Sequence, residues 1–150
     1  MIEDSAASRL YLDANVFIYA LEGEPAIFHP LQDLFALFKV KKAVAITSEL
    51  TLAEVLPKAS NIDRSSYLNL ILWSGIFDLH PVSRDVLIET ADYRKAAGML
   101  KLPDAIHAVT AIRAGCRIVL SRDHRLRFPD GYTIVPPEPA NIATLIRDLS

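Results

Sequence analysis

Four acidic side chains stand where a carboxylate is either costly or aimed. Asp13 ends the apolar run Leu10-Tyr11-Leu12 and is followed by Ala14-Asn15-Val16; Asp123 comes in the same way after Val119-Leu120-Ser121-Arg122. Asp104 follows Pro103, and Glu54 is set among Leu52, Ala53, Val55 and Leu56. Brought to one point, such carboxylates repel one another and lose ionisation unless a cation compensates. A hard divalent ion, Mg²⁺ or Mn²⁺, is the natural counter-charge, because it takes oxygen ligands and leaves part of its shell to water and phosphate. The chemistry such a site supports is phosphodiester hydrolysis, with one ion, or two about 3.5–4 Å apart, activating water and offsetting charge on the phosphate. Asn15 and Ser121, short hydrogen bonders flanking the two chain-end aspartates, read as groups that orient the carboxylates or bind metal water. Each acid alone has a plain structural use: Asp13 and Asp123 as N-caps, Asp104 as a first-turn acid on the helix dipole, Glu54 as a solvated helix residue. Helix caps do not account for Glu54 in an apolar segment, nor for Asn15 and Ser121 beside the aspartates, so the metal reading of the set is preferred.

Five short, β-prone runs must position these acids, at 9–12, 43–46, 77–80, 117–120 and 132–135. Helical patterns lie between them. Pro30 opens a helix with Leu31, Leu34, Phe35 and Phe38 on one face, Asp63 caps one carrying Tyr67, Leu68, Ile71 and Leu72, and Ser83 caps one carrying Val86, Leu87, Thr90 and Ala91. Pro103 sits in a first helical turn and Gly115 where that helix stops. Strands apolar on both faces and alternating with helices predict an α/β fold with a mostly parallel sheet of four to five strands, covered by helices on each side. Ligands of such sheets bind at the carboxyl ends of the strands, where Asp13 and Asp123 emerge.

In order and spacing, Leu12-Asp13-Ala14-Asn15-Val16-Phe17-Ile18-Tyr19, Glu54 in its apolar helix, Leu102-Pro103-Asp104-Ala105-Ile106-His107-Ala108 and Leu120-Ser121-Arg122-Asp123 resemble a PIN domain, and more narrowly the VapC-type toxins of prokaryotic toxin–antitoxin pairs. The resemblance covers essentially the whole chain. It implies a compact three-layer α/β/α sandwich and Mg²⁺- or Mn²⁺-dependent endoribonuclease activity. By carry-over, Asp13, Glu54, Asp104 and Asp123 form the catalytic metal site, with Asp13 and Asp104 the direct ligands. Ser121 stands where the family commonly has Thr, which keeps the hydroxyl; Arg122 stands where many members have Asn or another small polar residue. The implied partners are an RNA substrate, a cognate antitoxin and a second copy in a homodimer. The alternatives are a PIN-like module that binds RNA or protein without turnover, and a non-toxin PIN nuclease of RNA processing. An aspartyl-phosphate phosphatase fits poorly, since Asn15 replaces the second acid that chemistry wants and no Gly-rich phosphate loop is present.

Composition bounds the rest. With 16 basic against 18 acidic residues, a net charge of -2 and a pI near 6.1, bulk charge cannot hold nucleic acid. The arginines are nevertheless bunched: Arg113, Arg117, Arg122, Arg125 and Arg127 face a single acid, Asp123, over that stretch. This is either a solvated helix face and turn or an RNA-contacting rim, with Arg113, Arg122, Arg125 and Arg127 its candidate contacts. His107, three residues after Asp104, reads as a packing or positioning residue rather than a ligand, and Trp73, Phe35, Phe38, Tyr67 and Leu72 as core or dimer interface. The lone Cys116 excludes an internal disulfide and suits a buried thiol in a reducing cytoplasm. Met1-Ile2-Glu3-Asp4-Ser5 lacks a basic region before an apolar stretch, against a signal peptide. The longest stretch without charge or His, 65–77, has 13 residues, short of the roughly 18 that span a bilayer. One domain over 1–150, free of the membrane, is expected.

Overall fold

The computed structural model describes residues 7–150, so the segment read for a signal peptide lies outside the described residues. The five expected strands are all present: β1 (Ser8–Leu12), β2 (Ala43–Ser48), β3 (Phe77–His80), β4 (Ile118–Leu120) and β5 (Thr133–Val135). They form one wholly parallel sheet in the order β3-β2-β1-β4-β5. Seven α-helices connect and cover them: α1 (Ala14–Glu22), α2 (Pro25–Lys39), α3 (Leu50–Val55), α4 (Asn61–Leu68), α5 (Arg84–Ala96), α6 (Leu102–Arg113) and α7 (Pro139–Leu149).

Strand alternation builds the three layers. Leu10 and Leu12 point into a core with α1, α2, α7 and Tyr67, while Tyr11 between them points to the other face, against Ala111, Ala114 and Val119. Both faces of β1 are sealed from Leu10 to Leu12, after exposed Ser8 and Arg9, which explains why that stretch carries no charge until Asp13. The first core is knit by aromatic edges: Phe77 meets Phe17 at 4.9 Å and Phe35 at 5.0 Å between ring centroids. Phe35, Phe38 and Tyr67 are buried as expected and Leu72 is half-buried, but Trp73 is 73% exposed and is no part of the core.

Two helix starts and one whole helix differ from the sequence reading. The helix assigned to Pro30 begins a turn earlier, with Pro25 at its first position and Pro30 inside it. Pro30 leaves only the Ala26 carbonyl without an intrahelical donor, and Ala26 is exposed, so water can satisfy it. Ser60, not Asp63, caps α4: its hydroxyl accepts from the Asp63 N–H at 3.2 Å and donates to the Asp63 carboxylate at 2.9 Å, a reciprocal box in which Asp63 is the return partner. The sequence reading has no helix after Pro139, whereas α7 packs Ile142 and Leu145 against the first core. Ser83 caps α5 and Pro103 lies in the first turn of α6, as read. No helix of the described residues is long and apolar enough to cross a membrane.

Candidate metal centre

The order β2-β1-β4 is a topological switch: the chain leaves β1 toward β2 on one side and returns to β4 on the other. Helices therefore diverge above the β1/β4 junction and leave a crevice at the strand ends. Because Leu12 is in register with Leu120, the next residues, Asp13 and Ser121, come side by side, and the Asp13 N–H bonds the Leu120 carbonyl at 3.0 Å.

Asp13 is 7% exposed and tightly held. One carboxylate oxygen accepts from the Ala14 N–H at 2.8 Å, which caps α1; the other accepts from the Ser121 hydroxyl at 2.6 Å and from Asn15 Nδ2 at 3.3 Å. Asp13 is thus both the helix cap of the plain reading and the hub of a polar cluster. Ser121 Oγ also accepts from the Asp123 N–H at 3.0 Å, and Asn15 Oδ1 from the Arg122 N–H at 3.3 Å, so these two residues tie the loop after β4 to the start of α1.

Glu54 arrives from the β2 edge on α3, a helix cut short because Pro57 cannot continue it. Its start is pinned by Ser48, whose hydroxyl accepts from the Leu50 N–H, and by the Glu49 N–H on the His80 carbonyl. Half-buried Glu54 accepts a 2.5 Å hydrogen bond from His107 Nε2, which is also 3.5 Å from Asp13 Oδ1. Ligand atoms of Asp13, Glu54 and His107 lie within 4.8 Å of one another. His107 is 2% exposed, and its other nitrogen meets the Tyr11 hydroxyl at 2.6 Å. Burial disfavours the imidazolium, but the Glu54 hydrogen bond and the charges of Asp13, Glu54 and Asp104 outweigh it, and the His107 pKa rises. Tyr11 is pushed well above its usual value by burial and by the Asp13 charge.

Asp104, in the first turn of α6, and Asp123, after β4, form the second half of the site. Burial and the neighbouring Asp123 carboxylate, with a smaller push from Asp13, raise Asp104 above the usual carboxylate range. Asp123 is lowered: burial opposes ionisation, but the Arg125 side chain at 3.1 Å and backbone N–H at 2.9 Å favour it. The four sequence-picked acids thus gather at one crevice, in two linked groups. The arginines gather only in part: Arg125 sits on Asp123, Arg122 beside it lies over the Tyr19 ring at 5.6 Å and donates to its hydroxyl, and Arg127 bonds backbone carbonyls. Arg113 ends α6 nine residues beyond Asp104, about 14 Å along the axis, and pairs with Glu89.

His107 is the packing and positioning residue that the sequence suggests, but its partners are not legible there. Its three-residue spacing from Asp104 put both on one helical face, yet nothing in that pattern revealed Glu54 opposite it. Tyr11 carried no signal, being one more apolar-looking residue in a buried strand.

The PIN domain family model matches residues 10–131, well over half of the chain and inclusive of all four acids. The chain belongs to the PIN domain family. No curated protein matches it in sequence. Among solved structures, this PIN domain is similar to a chain of VapBC2 from Rickettsia felis bound to a promoter DNA fragment, with TM-score 0.63 and 16% identity over 84% of this chain and 96% of that one. A toxin–antitoxin complex from Klebsiella pneumoniae gives TM-score 0.63 and 21% identity over 85% and 97%. VapC20 of Mycobacterium tuberculosis, a Sarcin-Ricin loop cleaving toxin, gives TM-score 0.58 and 12% identity over 73% and 86%. At these identities the likeness is one of fold, and it matches the three-layer α/β/α arrangement expected of a PIN domain.

Proposed function

We propose that this PIN domain is a Mg²⁺- or Mn²⁺-dependent endoribonuclease and the toxin of a toxin–antitoxin pair. The observation that carries the reading is the crowding of four carboxylates at one crevice: burial, the Asp123 carboxylate and, less, Asp13 push Asp104 up, Arg125 answers only Asp123, and the only buried basic group against the Asp13–Glu54 pair among the described residues is His107. A donor set of carboxylate oxygens suits a hard divalent ion, with Asp13 and Asp104 as its direct ligands and Glu54 and Asp123 completing the acidic site. When bound, that ion supplies an activated water and positive charge at the phosphate.

The chain's own residues do the positioning. Ser121 and Asn15 hold Asp13 in one rotamer, and the Ala14 N–H fixes its second oxygen. His107, anchored on Tyr11, holds Glu54 toward Asp13 against their mutual repulsion. Arg125 keeps Asp123 ionised, and Arg122, Arg125 and Arg127 offer charge to an RNA backbone beside the acids, while Arg113 serves it only if the substrate reaches the far end of α6. Hydrolysis then joins the oxygen of a water to phosphorus, breaks a phosphorus–oxygen bond to the sugar, and returns a proton to the departing oxygen.

The neighbour from Klebsiella pneumoniae is a toxin–antitoxin complex, which supports a cognate antitoxin partner. The whole chain, 1–150, acts as one nuclease domain, as a homodimer in the cytoplasm. The test is cleavage of a mixed RNA pool by the purified chain with Mn²⁺, beside Asp104→Ala and EDTA controls. Cleavage by wild type that disappears in both controls is expected; cleavage surviving in either one overturns the reading.

A further inference from the structure

A cavity of about 300 Å³ opens beside the acidic crevice, lined by Tyr19, Arg122, His124, Pro136, Pro137 and Glu138. That is the small end of the ~300–1,000 Å³ range of ligand pockets, the size for one planar ring system rather than an extended ligand. Through Arg122 and His124 it joins a shelf of about 480 Å³ that also carries Asn15, Asp123 and Arg125, so that one acid of the candidate metal centre lines it. A strand lying on the shelf at Asp123 would therefore pass the mouth of the cavity.

The charged groups of the cavity, Arg122 and Glu138, are opposite in sign and only partly engaged. The ion pairs among the described residues are His107 with Asp13 and Glu54, Arg113 with Glu89, Arg125 with Asp123, and Arg147 with Asp148, so Arg122 and Glu138 do not neutralise each other. Glu138 stands at the N-cap position of α7, yet its carboxylate does not cap that helix. Its only side-chain hydrogen bond among the described residues is a long one, 3.4 Å, from Asn141 Nδ2, which also holds the Pro136 carbonyl at 3.0 Å. Arg122 uses one Nη1 donor on the Tyr19 hydroxyl and rests on the Tyr19 ring, leaving the other N–H groups of its fork available. Two consecutive prolines, one of them buried, stiffen the wall that carries Glu138.

We propose that this cavity is a guanine-binding subsite that seats the base next to the phosphate being cut. The inference rests on the ribonuclease reading for its polymer, and its chemistry comes from the cavity alone. Guanine is the one common RNA base with two adjacent donors, N1–H and N2–H, on its Watson–Crick edge and two acceptors, O6 and N7, on its other edge. A carboxylate accepts from the first pair, and a guanidinium donates to the second, the bidentate match of arginine with guanine. Adenine would turn the lone pair of N1 toward Glu138, and each pyrimidine would turn at least one carbonyl or ring lone pair toward it. The Tyr19 and His124 rings offer faces for stacking, as in single-stranded RNA recognition.

Two measurements test the subsite. In the first, the wild-type chain with Mn²⁺ cuts a pool of RNA with a randomised segment, and product ends are sequenced. Guanine should be enriched about tenfold or more at one position flanking the cut, and Glu138→Gln should remove that enrichment and move it toward adenine, whose N6 and N7 suit a Gln amide. The second does not need turnover: backbone amide shifts are followed by NMR while 5′-GMP, AMP, CMP or UMP is added to wild type. Amides of Tyr19, Arg122 and Glu138 should respond to GMP at roughly tenfold lower concentration than to the others, and Glu138→Gln should abolish that advantage. Random ends, or an unchanged guanine bias in a folded Glu138→Gln protein, overturn the subsite while the nuclease reading stands. GMP selectivity without any metal-dependent cleavage leaves the subsite and removes the nuclease; equal response to all four nucleotides removes the subsite whether or not RNA is cut.

Discussion

Replacing Ser121 by Ala isolates how the fold holds its first acid. Ser121 is fully buried, donates to Asp13 Oδ2 at 2.6 Å and accepts from the Asp123 N–H at 3.0 Å. The substitution therefore loosens one carboxylate and releases the loop that carries another. A hydrogen bond to a charged group contributes about 1.5–3 kcal/mol, and removal of a residue that orients a metal ligand costs ~10–100-fold in metal affinity. Asn15 Nδ2 remains on the same oxygen at 3.3 Å, which places the expected loss near the lower end, about tenfold in Mn²⁺ affinity. Ser121→Thr keeps the hydroxyl and should retain most of the affinity, at some cost in stability where a methyl group is added to a fully buried position. Calorimetric titration of Mn²⁺ into protein freed of metal with EDTA measures both variants, with circular dichroism to confirm folding. A folded Ser121→Ala protein that binds Mn²⁺ as wild type does would refute the claim that Asp13 holds the ion through this orientation.

Three further outcomes follow from the geometry. Asp104 has a raised pKa in the folded state, so its carboxyl favours folding while protonated and loses that contribution as pH climbs from its unfolded value through its raised folded value. In EDTA, Asp104→Asn should therefore raise Tm over wild type by an increasing margin as pH increases across the carboxylate range, and Mn²⁺ should close the gap; a margin independent of pH in scanning fluorimetry would show that the repulsion is absent. Phe17 is fully buried against Phe35 and Phe77 whereas Trp73 is exposed, so in urea melts Phe17→Ala should lose about 3–5 kcal/mol and Trp73→Ala within roughly 0.5 kcal/mol. Arg125→Ala should lower the slope of log affinity against log salt for single-stranded RNA by about 0.7, the value of one phosphate contact, while Arg113→Ala at the far end of α6 leaves it unchanged.

How far the sequence speaks depends on the range of the interaction concerned. Alternation along Leu10-Tyr11-Leu12 and the apolar faces of α2 and α5 are local, and they were sufficient for five strands, a parallel sheet and helices on both sides. Sequence alone does not choose the cap of α4, because Ser60 and Asp63 form a reciprocal pair, either of which satisfies a capping pattern; the extended backbone at Ser60 decides between them. Helix α7 escaped because four residues of proline-rich punctuation hid an amphipathic segment whose partner, α2, lies a hundred residues earlier.

The acids follow the same division. Asp13, Asp104 and Asp123 were legible because strand ends and first helical turns are places where a carboxylate has a known direction, and Glu54 because its apolar neighbours made it conspicuous. Which groups meet was decided by tertiary structure alone. The register of Leu12 with Leu120 brings Ser121 onto Asp13, and the packing of α6 against β1 and β2 places His107 between Tyr11 and Glu54. The arginines make the converse case: adjacent in sequence, they separate in space, because a helix of twelve residues carries Arg113 away from the acids while the loop after β4 keeps Arg122 and Arg125 beside them. Residue type and spacing thus determine the kind of chemistry available to the chain, since those are properties of short segments. The pairing of charges across segments depends on strand order and register, and no short segment contains either.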